Sequence, residues 1–144
     1  MDPVTSVRTC FQKYAEFNGR ASRPEFWWFY LFSVLVLFAA YFVQFLLSIA
    51  QLGFAGTRIS LFVGLMSFVV NIGVLALAVA LIIPLLAAGS RRLHDRDQSG
   101  WLQLLMLVPC ASIALIVIWA LDGNPGPNPF GPPPTWTPPP AINL

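Results

Sequence analysis

Charged residues leave three long stretches of the chain without any formal charge. No Asp, Glu, Lys or Arg lies between Glu25 and Arg58, between Arg58 and Arg91, or between Asp97 and Asp122. A helix that crosses a membrane needs about 20 mainly apolar residues, and each stretch is at least that long. The pattern predicts an all-α integral membrane protein with about three transmembrane helices. Within a membrane domain of residues 22–121, we place these helices at 25–51, 64–88 and 100–121.

The leader, residues 1–21, predicts a short amphipathic helix that lies at the membrane surface. Asp2 suits the N-cap position and Pro3 the first helical position. Apolar residues follow at helical spacing, and polar residues lie mostly on the other side. Asn18-Gly19 is the expected end of this helix. The apolar positions are Val4, Val7, Phe11 and Tyr14.

The first and third predicted transmembrane helices begin with local signals. Ser22-Arg23-Pro24-Glu25 reads as a capping box, in which the Ser22 hydroxyl accepts a free backbone N–H and Glu25 reaches back to the cap. Ser99 is a candidate N-cap for the third helix. Tryptophans near these ends predict interface anchors, because indole rings favour the headgroup layer. The predicted anchors are Trp27, Trp28 and Trp101.

The second uncharged stretch, residues 59–90, is longer than one span requires. It fits one long tilted helix, or a short interfacial piece followed by a helix, with the crossing at about 64–88. It also fits a re-entrant pair bent at Asn71-Ile72-Gly73. Two full spans do not fit, because each would be too short for a hydrocarbon core of about 30 Å. The sequence leaves the single span and the re-entrant pair open.

Composition supports lipid as the solvent of this fold. Hydrophobic residues make up 57% of the 144 residues, charged residues only 10%, and the mean hydropathy is +0.72. An average soluble domain is about 25% charged, so a soluble fold of this size could not hide so much apolar surface. The segment 122–144 differs, because it contains nine of the thirteen prolines. It predicts an extended, mobile tail.

The basic residues predict the orientation of the chain. Seven of them lie before the first predicted helix or between the second and third, whereas Arg58 alone lies between the first and second. Three spans place the two basic segments on one side, which the positive-inside rule makes cytoplasmic. We therefore expect a multi-pass protein with a cytoplasmic N-terminus and a C-terminus on the other side.

Three segments resemble a known family. They are Phe17 to Trp27 (FNGRASRPEFW), Arg91 to Asp95 (RRLHD) with Ser99-Gly100-Trp101, and Asn128 to Pro132 (NPFGP). Together they resemble the bacterial "domain of unknown function 805" family of small inner-membrane proteins, over roughly Tyr14 to Pro132. Pro129 departs from the family, which often has a basic or other polar residue there. The resemblance implies the fold and the bacterial inner membrane, and it supplies no reaction, substrate or partner.

Charged residues from separate segments converge on one membrane face in this topology, and we call them the arginine cluster. Two helix N-termini add partial positive charge there. Such a site suits a lipid phosphate, an acidic headgroup or the carboxylate of a partner. Alternatively, the arginines only fix topology and the acids neutralise them. In either case Glu25 is expected to pair with Arg91 or Arg92. The cluster comprises Arg20, Arg23, Glu25, Arg91, Arg92, His94, Asp95 and Arg96.

Two rival function classes remain. A membrane enzyme would use His94 beside Asp95, although the sequence shows no nucleophile or substrate pocket. A small oligomeric transporter or channel would line a path with Gln44, Ser48 and Asn71, although no ionisable residue lies at mid-membrane in any predicted span.

We therefore expect a small inner-membrane protein that is not an enzyme. Its arginine cluster would bind anionic lipid or another membrane protein, and a homo-oligomer is also compatible. One histidine and two cysteines a hundred positions apart, Cys10 and Cys110, do not make the usual four-ligand zinc set. No metal, cofactor or nucleic acid is expected.

Overall fold

The computed structural model describes residues 1–134, and the elements of that range are helical. The predicted all-α membrane fold is confirmed, because two long apolar helices are accompanied by shorter helical elements. The elements are α1 (Pro3–Gln12), α2 (Arg23–Gly53), α3 (Arg58–His94), a 3₁₀ helix (Gly100–Leu107) and α4 (Pro109–Ala120).

The leader helix α1 begins as the sequence predicts. The Asp2 carboxylate accepts the backbone N–H of Thr5 at 3.1 Å, so Asp2 is the N-cap. The helix ends at Gln12, earlier than the predicted stop at Asn18-Gly19, because the next residue leaves helical geometry. The side chains that α1 buries are Ser6 and Cys10.

The two long helices extend beyond the predicted spans. α2 has 31 residues and α3 has 37, which correspond to lengths of ~46 and ~56 Å at 1.5 Å per residue. α3 is continuous and contains Pro84, so the re-entrant pair bent at Asn71-Ile72-Gly73 is wrong and the single long helix is right. Residues 54–57 connect the helices through a turn in which Gly56 has a φ of +80°, a conformation that glycine adopts without strain.

The third hydrophobic stretch does not form the single helix that we predict at 100–121. It consists of the 3₁₀ helix and α4, which meet at Val108 and pack against each other. The two are ~16 and ~18 Å long, and each is too short for a hydrocarbon core of about 30 Å. Pro109 explains the break, because proline lacks an N–H and disfavours helical geometry in the residue before it.

Both ends of this stretch lie against the last turns of α3. A Cβ built on Gly100 would lie 2.0 Å from the Ser90 Oγ, so the first residue of the 3₁₀ helix touches α3. After α4, the Arg92 guanidinium donates to the Leu121 carbonyl. The stretch is therefore a helical hairpin whose two ends lie at the same end of α3.

As far as Gly131, the tail is held by hydrogen bonds, whereas the sequence predicts a mobile segment. Its carbonyls accept hydrogen bonds from Arg20, for example at 2.7 Å from Arg20 Nη1 to the Gly126 oxygen. Asn128 Nδ2 donates to the His94 carbonyl at 2.7 Å. Proline removes backbone donors but leaves every carbonyl free, so this segment is held by side-chain donors. Residues 135–144 of the predicted tail lie outside the described residues.

The chain divides into two compact units. Unit 1 contains Met1–Phe29 and the described residues from Pro84 onward, and unit 2 is Tyr30–Ile83. Within unit 2, Gln44 Nε2 of α2 donates to Ser67 Oγ of α3 at 2.9 Å. Most large apolar side chains of unit 2 are exposed, as expected for a surface that faces lipid tails.

Candidate functional site

Unit 1 brings the leader, the end of α3, the hairpin and the tail to one place. The Ala21 N–H donates to the Arg91 carbonyl at 3.0 Å, which ties the leader to the last turn of α3. Most of the arginine cluster is buried there, although such residues are almost never fully buried unless they are paired. The buried members are Arg20, Glu25, Arg91, Arg92, His94 and Asp95.

Arg20 links the leader to α3 and to the tail. Its Nε donates to Asp95 Oδ1 at 2.9 Å and its Nη2 lies 2.8 Å from the same oxygen. Its remaining N–H groups donate to tail carbonyls, those of Asn124, Gly126 and Gly131. The planar fork of arginine presents five donors, and here they bond two other segments of the chain, Asp95 after α3 and the tail.

Glu25 pairs with Arg91, as the sequence predicts. Arg91 Nη1 donates to Glu25 Oε1 at 2.6 Å, and both side chains are buried. The Ser22 hydroxyl accepts the Glu25 N–H at 3.3 Å, so half of the predicted capping box forms, while the Glu25 carboxylate pairs with α3. Burial raises the pKa of the nearby Cys10 thiol to about 11, and the negative charge of Glu25 acts in the same direction.

Arg92 joins the end of α4 to the network. Its Nε donates to the Trp119 carbonyl at 3.0 Å, and its Nη atoms donate to the Leu121 carbonyl and to Asp95 Oδ2. The last carbonyls of a helix lack intrahelical partners and carry partial negative charge. Arg92 therefore satisfies the C-terminus of α4 while it shares the Asp95 carboxylate with Arg20.

Arg23 and Arg96 remain at the surface. Arg23 Nη1 pairs with Asp122 Oδ1, and the two side chains are 49% and 89% exposed. Arg96 is half-buried and donates to the Asp122 carbonyl. Exposed pairs of this kind contribute at most about 1 kcal/mol. These two arginines are the members of the cluster that an external anion can reach most easily.

His94 does not pair with Asp95. Its Nδ1 lies 3.2 Å from the Gly19 carbonyl oxygen, and because a carbonyl only accepts, Nδ1 carries the proton. The ring stacks on Phe130, with centroids 3.9 Å apart and planes 3° apart. His94 lies beyond the predicted span 64–88. Burial of its imidazole lowers the pKa of this side chain. The imidazole is therefore neutral near pH 7, with Nε2 as an acceptor.

Two glycines permit close approach of segments in this region. A Cβ on Gly123 would lie 1.8 Å from Asp95 Oδ2. A Cβ on Gly100 would lie 2.0 Å from Ser90 Oγ and 3.3 Å from His94 Nε2. The tail and the hairpin therefore reach the end of α3 only because these positions have no side chain.

The tryptophans divide into exposed and buried residues. Trp101 is 79% exposed and Trp28 is 39% exposed, while Trp27 is half-buried. Exposure of this kind suits the predicted interface anchors. Trp119 is 4% exposed and donates from Nε1 to the Gly89 carbonyl at 3.2 Å, so it is a core residue of unit 1.

A cavity of about 590 Å³ lies beside the network in unit 1. It is lined by residues from the leader, α3, the hairpin and the tail. Its walls are mainly apolar, with a few polar side chains, and ligand sites commonly measure 300–1,000 Å³ with this composition. The lining residues are Phe17, Asn18, Leu86, Ser90, His94, Ser99, Gly100, Trp101, Gln103, Leu104 and Phe130.

The sequence did not reveal several residues that complete the site. Asp122 and Asn124 lie in a segment that composition marks as extended, and Trp119 lies in a uniformly apolar run. The NPFGP segment is the motif that could have indicated part of the site, because its Asn128 and Phe130 contact His94. In residues 1–134, no group of three or more His, Cys, Asp or Glu side chains is placed to hold a metal ion.

Comparisons with known proteins agree with this architecture. A family model described as protein of unknown function, DUF805, matches residues 14–132. Inner membrane protein YhaH of Escherichia coli strain K12 is 31% identical over 128 residues, which cover 88% of this chain and 93% of YhaH. Inner membrane protein YhaI of the same strain is 32% identical over 121 residues, which cover 83% and 86%. No solved structure matches the chain.

Two long apolar helices and a densely bonded polar end define the class, a small all-helical membrane protein. The chain belongs to the DUF805 family, so the resemblance found in the three sequence segments is confirmed. The relatives named above are both inner membrane proteins.

Proposed function

We propose that this protein is a non-enzymatic module of the bacterial inner membrane that binds a membrane lipid in the cavity of unit 1. The cavity carries the proposal, because four separate segments build it and the bonds of Arg20 and Arg92 connect all four. Leu86 and Leu104 give it an apolar side, and Ser90 and His94 give it a polar side. An apolar wall beside a few hydrogen-bonding groups matches the two parts of a lipid.

The proposed topology has a cytoplasmic N-terminus and two spans, α2 and α3. The hairpin of the 3₁₀ helix and α4 is re-entrant, because both of its ends lie at the end of α3. Its tip is apolar and exposed, with Leu107 80% and Val108 53% exposed, as expected for a tip in hydrocarbon. The leader, the residues after α3 and the tail then share the cytoplasmic side, which retains seven basic residues there.

The arrangement of His94 supports a binding role over an enzymatic one. General acid–base catalysis requires a partner that orients the imidazole and a substrate within reach of it. The Asp95 carboxylate accepts hydrogen bonds from Arg20 and Arg92 instead, and His94 Nδ1 is held by a backbone carbonyl. Unit 2 gives little support to transport, because Gln44 bonds Ser67, Ser48 bonds its own helix and Asn71 is exposed.

Co-purification tests the proposal. The full chain is purified in mild detergent, and its bound lipids are extracted and compared with the bulk membrane by mass spectrometry. Leu104→Trp fills the cavity, whereas Leu107→Trp adds the same volume at the exposed hairpin tip. We expect one lipid class to be enriched in the parent and in Leu107→Trp and lost in Leu104→Trp. No enrichment, or equal enrichment in both variants, would overturn the proposal.

A second candidate function is binding of anionic lipid or of an acidic partner by the exposed part of the arginine cluster. Arg23 pairs with the Asp122 carboxylate, whereas Arg96 donates only to the backbone carbonyl of Asp122. The buried Nε of Arg96 has no acceptor among residues 1–134. A basic residue near an anionic leaflet contributes about 1 kcal/mol, so this surface retains a modest attraction for phosphate. The buried arginines add little to it, because Arg20, Arg91 and Arg92 already pair with Asp95 or Glu25 away from the surface.

Charge substitutions separate this candidate from the first one. Arg23→Gln with Arg96→Gln removes the exposed charge, and Arg58→Gln removes a basic residue near the turn after α2. In nanodiscs that contain phosphatidylglycerol, the double variant is expected to lose enrichment of phosphatidylglycerol while Arg58→Gln retains it. Retention in the double variant removes the support for this second candidate.

A further inference from the structure

The cavity of unit 1 has no charged wall. The described residues that line it are apolar, aromatic, hydroxyl-bearing or amide-bearing, apart from the neutral His94. The buried charges of unit 1 are paired with one another, Arg20 and Arg92 with Asp95 and Arg91 with Glu25. A charged headgroup would lose its hydration on entering this site without gaining a counter-charge. The walls therefore favour an uncharged headgroup.

His94 and Ser90 offer specific hydrogen bonds at the polar side of the cavity. The bond from Nδ1–H to the Gly19 carbonyl fixes the tautomer of His94, so Nε2 presents a lone pair beside Gly100. Ser90 is 5% exposed and lines the cavity, with its hydroxyl beside Gly100. An acceptor beside a hydroxyl that both donates and accepts is complementary to a hydroxyl group.

The His94 ring is held in place from two directions. Phe130 stacks on one face, and the leader carbonyl of Gly19 holds Nδ1. Because the ring cannot rotate without breaking these contacts, Nε2 is a pre-positioned acceptor. Pre-organisation of this kind increases affinity, since less ordering is left to occur on binding.

The apolar side of the cavity indicates where a hydrocarbon chain would leave. Leu86 lies within the predicted span 64–88, and Leu104 of the 3₁₀ helix is 57% exposed. Trp101, at the start of the hairpin, is 79% exposed, and indole rings favour the membrane interface. A ligand with its head at His94 would therefore extend its chain past Leu86 and Leu104 into lipid.

We propose that this cavity binds an uncharged, hydroxyl-bearing lipid, whose hydroxyl donates to His94 Nε2 and accepts from Ser90. The inference rests on the proposed lipid-binding function and specifies its ligand. A diacylglycerol and an isoprenoid alcohol share this chemistry, with a free hydroxyl, no charge and a long apolar chain.

Defined probes test the headgroup chemistry. The delipidated full chain in mild detergent is titrated with dioleoylglycerol, its 3-O-methyl ether, a long-chain isoprenoid alcohol and dioleoylphosphatidylglycerol, and bound species are counted by native mass spectrometry. The ether retains the chains and lacks the hydroxyl donor. We expect it to bind about tenfold more weakly than dioleoylglycerol, since one hydrogen bond to a buried acceptor is worth about 1.4 kcal/mol.

Variants assign the binding to the cavity. Ser90→Ala is expected to weaken the binding of dioleoylglycerol and of its ether by a similar severalfold factor, because the ether oxygen can still accept from Ser90. The tenfold ratio between the two probes should stay unchanged, which a folding defect would not preserve. Leu104→Trp should abolish binding of both, and Leu107→Trp should not. The comparison of dioleoylglycerol with the isoprenoid alcohol identifies which of the two sources the site prefers.

Failure of this inference is distinguishable from failure of the proposed function. Preference for phosphatidylglycerol that Leu104→Trp abolishes would overturn the uncharged headgroup and leave the lipid site intact. Equal binding of dioleoylglycerol and its ether would overturn the hydroxyl contact alone. If every probe binds and Leu104→Trp changes none of these affinities, both the inference and the proposed function are overturned.

Discussion

The buried ionised side chains of this protein lie in unit 1, whereas unit 2 is almost free of charge and exposes most of its large apolar side chains. Three buried ion pairs connect Arg20, Arg91 and Arg92 to Glu25 and Asp95. Residues 30–83 contain one formal charge, Arg58, and no ion pair. Unit 1 thus depends on specific partners, and unit 2 depends on a general match between an apolar surface and lipid tails.

This difference determines how each unit responds to substitution. A buried charge that loses its partner retains the full cost of desolvation, so single changes in unit 1 should have large effects. An apolar side chain that faces lipid has no specific partner to lose, because lipid tails are as apolar as leucine. Single changes in unit 2 should therefore have small effects. The predictions below test this contrast.

The largest expected effect concerns the side of the membrane on which the C-terminus lies. We expect it on the cytoplasmic side, opposite to the side that the sequence predicts. The sequence places the C-terminus opposite the N-terminus, whereas the contacts of the tail with Arg20 and His94 place both segments together in unit 1. Alkaline phosphatase, active only outside the cytoplasm, is expected to be inactive when fused after Leu144. Green fluorescent protein at the same point should fluoresce. An insertion of the phosphatase within residues 54–57 is the control and should be active.

This first prediction has one contradicting result. An active phosphatase after Leu144, together with a dark fluorescent fusion, would mean that residues 100–121 cross the membrane. The tail could then not contact the leader of the same chain, and the description of unit 1 as one bonded body would fail.

The next largest effect concerns the buried pair of Glu25 and Arg91. Glu25→Ala leaves the Arg91 guanidinium buried without its carboxylate, and we expect a loss of about 3–5 kcal/mol in the free energy of unfolding. Arg23→Ala, the matched control, breaks the exposed pair with Asp122 and should cost at most about 1 kcal/mol. Unfolding by sodium dodecyl sulfate in mixed micelles, followed by circular dichroism, measures both. Equal losses would show that burial does not distinguish the two pairs.

Two glycine substitutions should have opposite signs. Gly123→Ala places a Cβ 1.8 Å from Asp95 Oδ2, and Asp95 cannot move because Arg20 and Arg92 hold it. We expect a cost of about 1–3 kcal/mol, typical of overpacking. Gly73→Ala, in the α3 interior of unit 2, meets nothing within 4 Å and should stabilise by about 0.5–1 kcal/mol. Thermal unfolding in detergent compares them, and two changes of the same sign would contradict the contrast.

The sequence predicted the long helices better than the hairpin, for a physical reason. Runs without charge define where α2 and α3 lie, because the cost of a charge in lipid is large and local. The course of residues 100–121 depends on where their ends bond, at Ser90, Gly89 and Arg92. No run of apolar residues contains that information, although Pro109 marked the point at which the helix breaks.

The sequence predicted that most of these charged residues lie close together, and it predicted only some of their partners. Positive-inside bias and helix caps brought the arginine cluster to one face, and the pairing of Glu25 with Arg91 followed from their positions. The burial of Arg20 and Arg92 did not follow, because their acceptors are backbone carbonyls of the tail and of α4. Carbonyls occur at every residue, so only the folded chain shows which ones a guanidinium reaches.

The smallest expected effect concerns the hydrogen bond between Gln44 and Ser67 in unit 2. Gln44 Nε2 donates to Ser67 Oγ at 2.9 Å, while the buried Gln44 Oε1 has no donor among residues 1–134. Interhelical hydrogen bonds in membranes average about 0.6 kcal/mol, because the unfolded chain in lipid also finds partners. A double-mutant cycle with Gln44→Leu and Ser67→Ala, measured by detergent titration, should give a coupling near that value. The same cycle on Glu25 and Arg91 provides the reference for unit 1. If the coupling between Gln44 and Ser67 is as large as that reference, unit 2 also depends on one specific polar contact. The two units would then differ only in the number of such contacts.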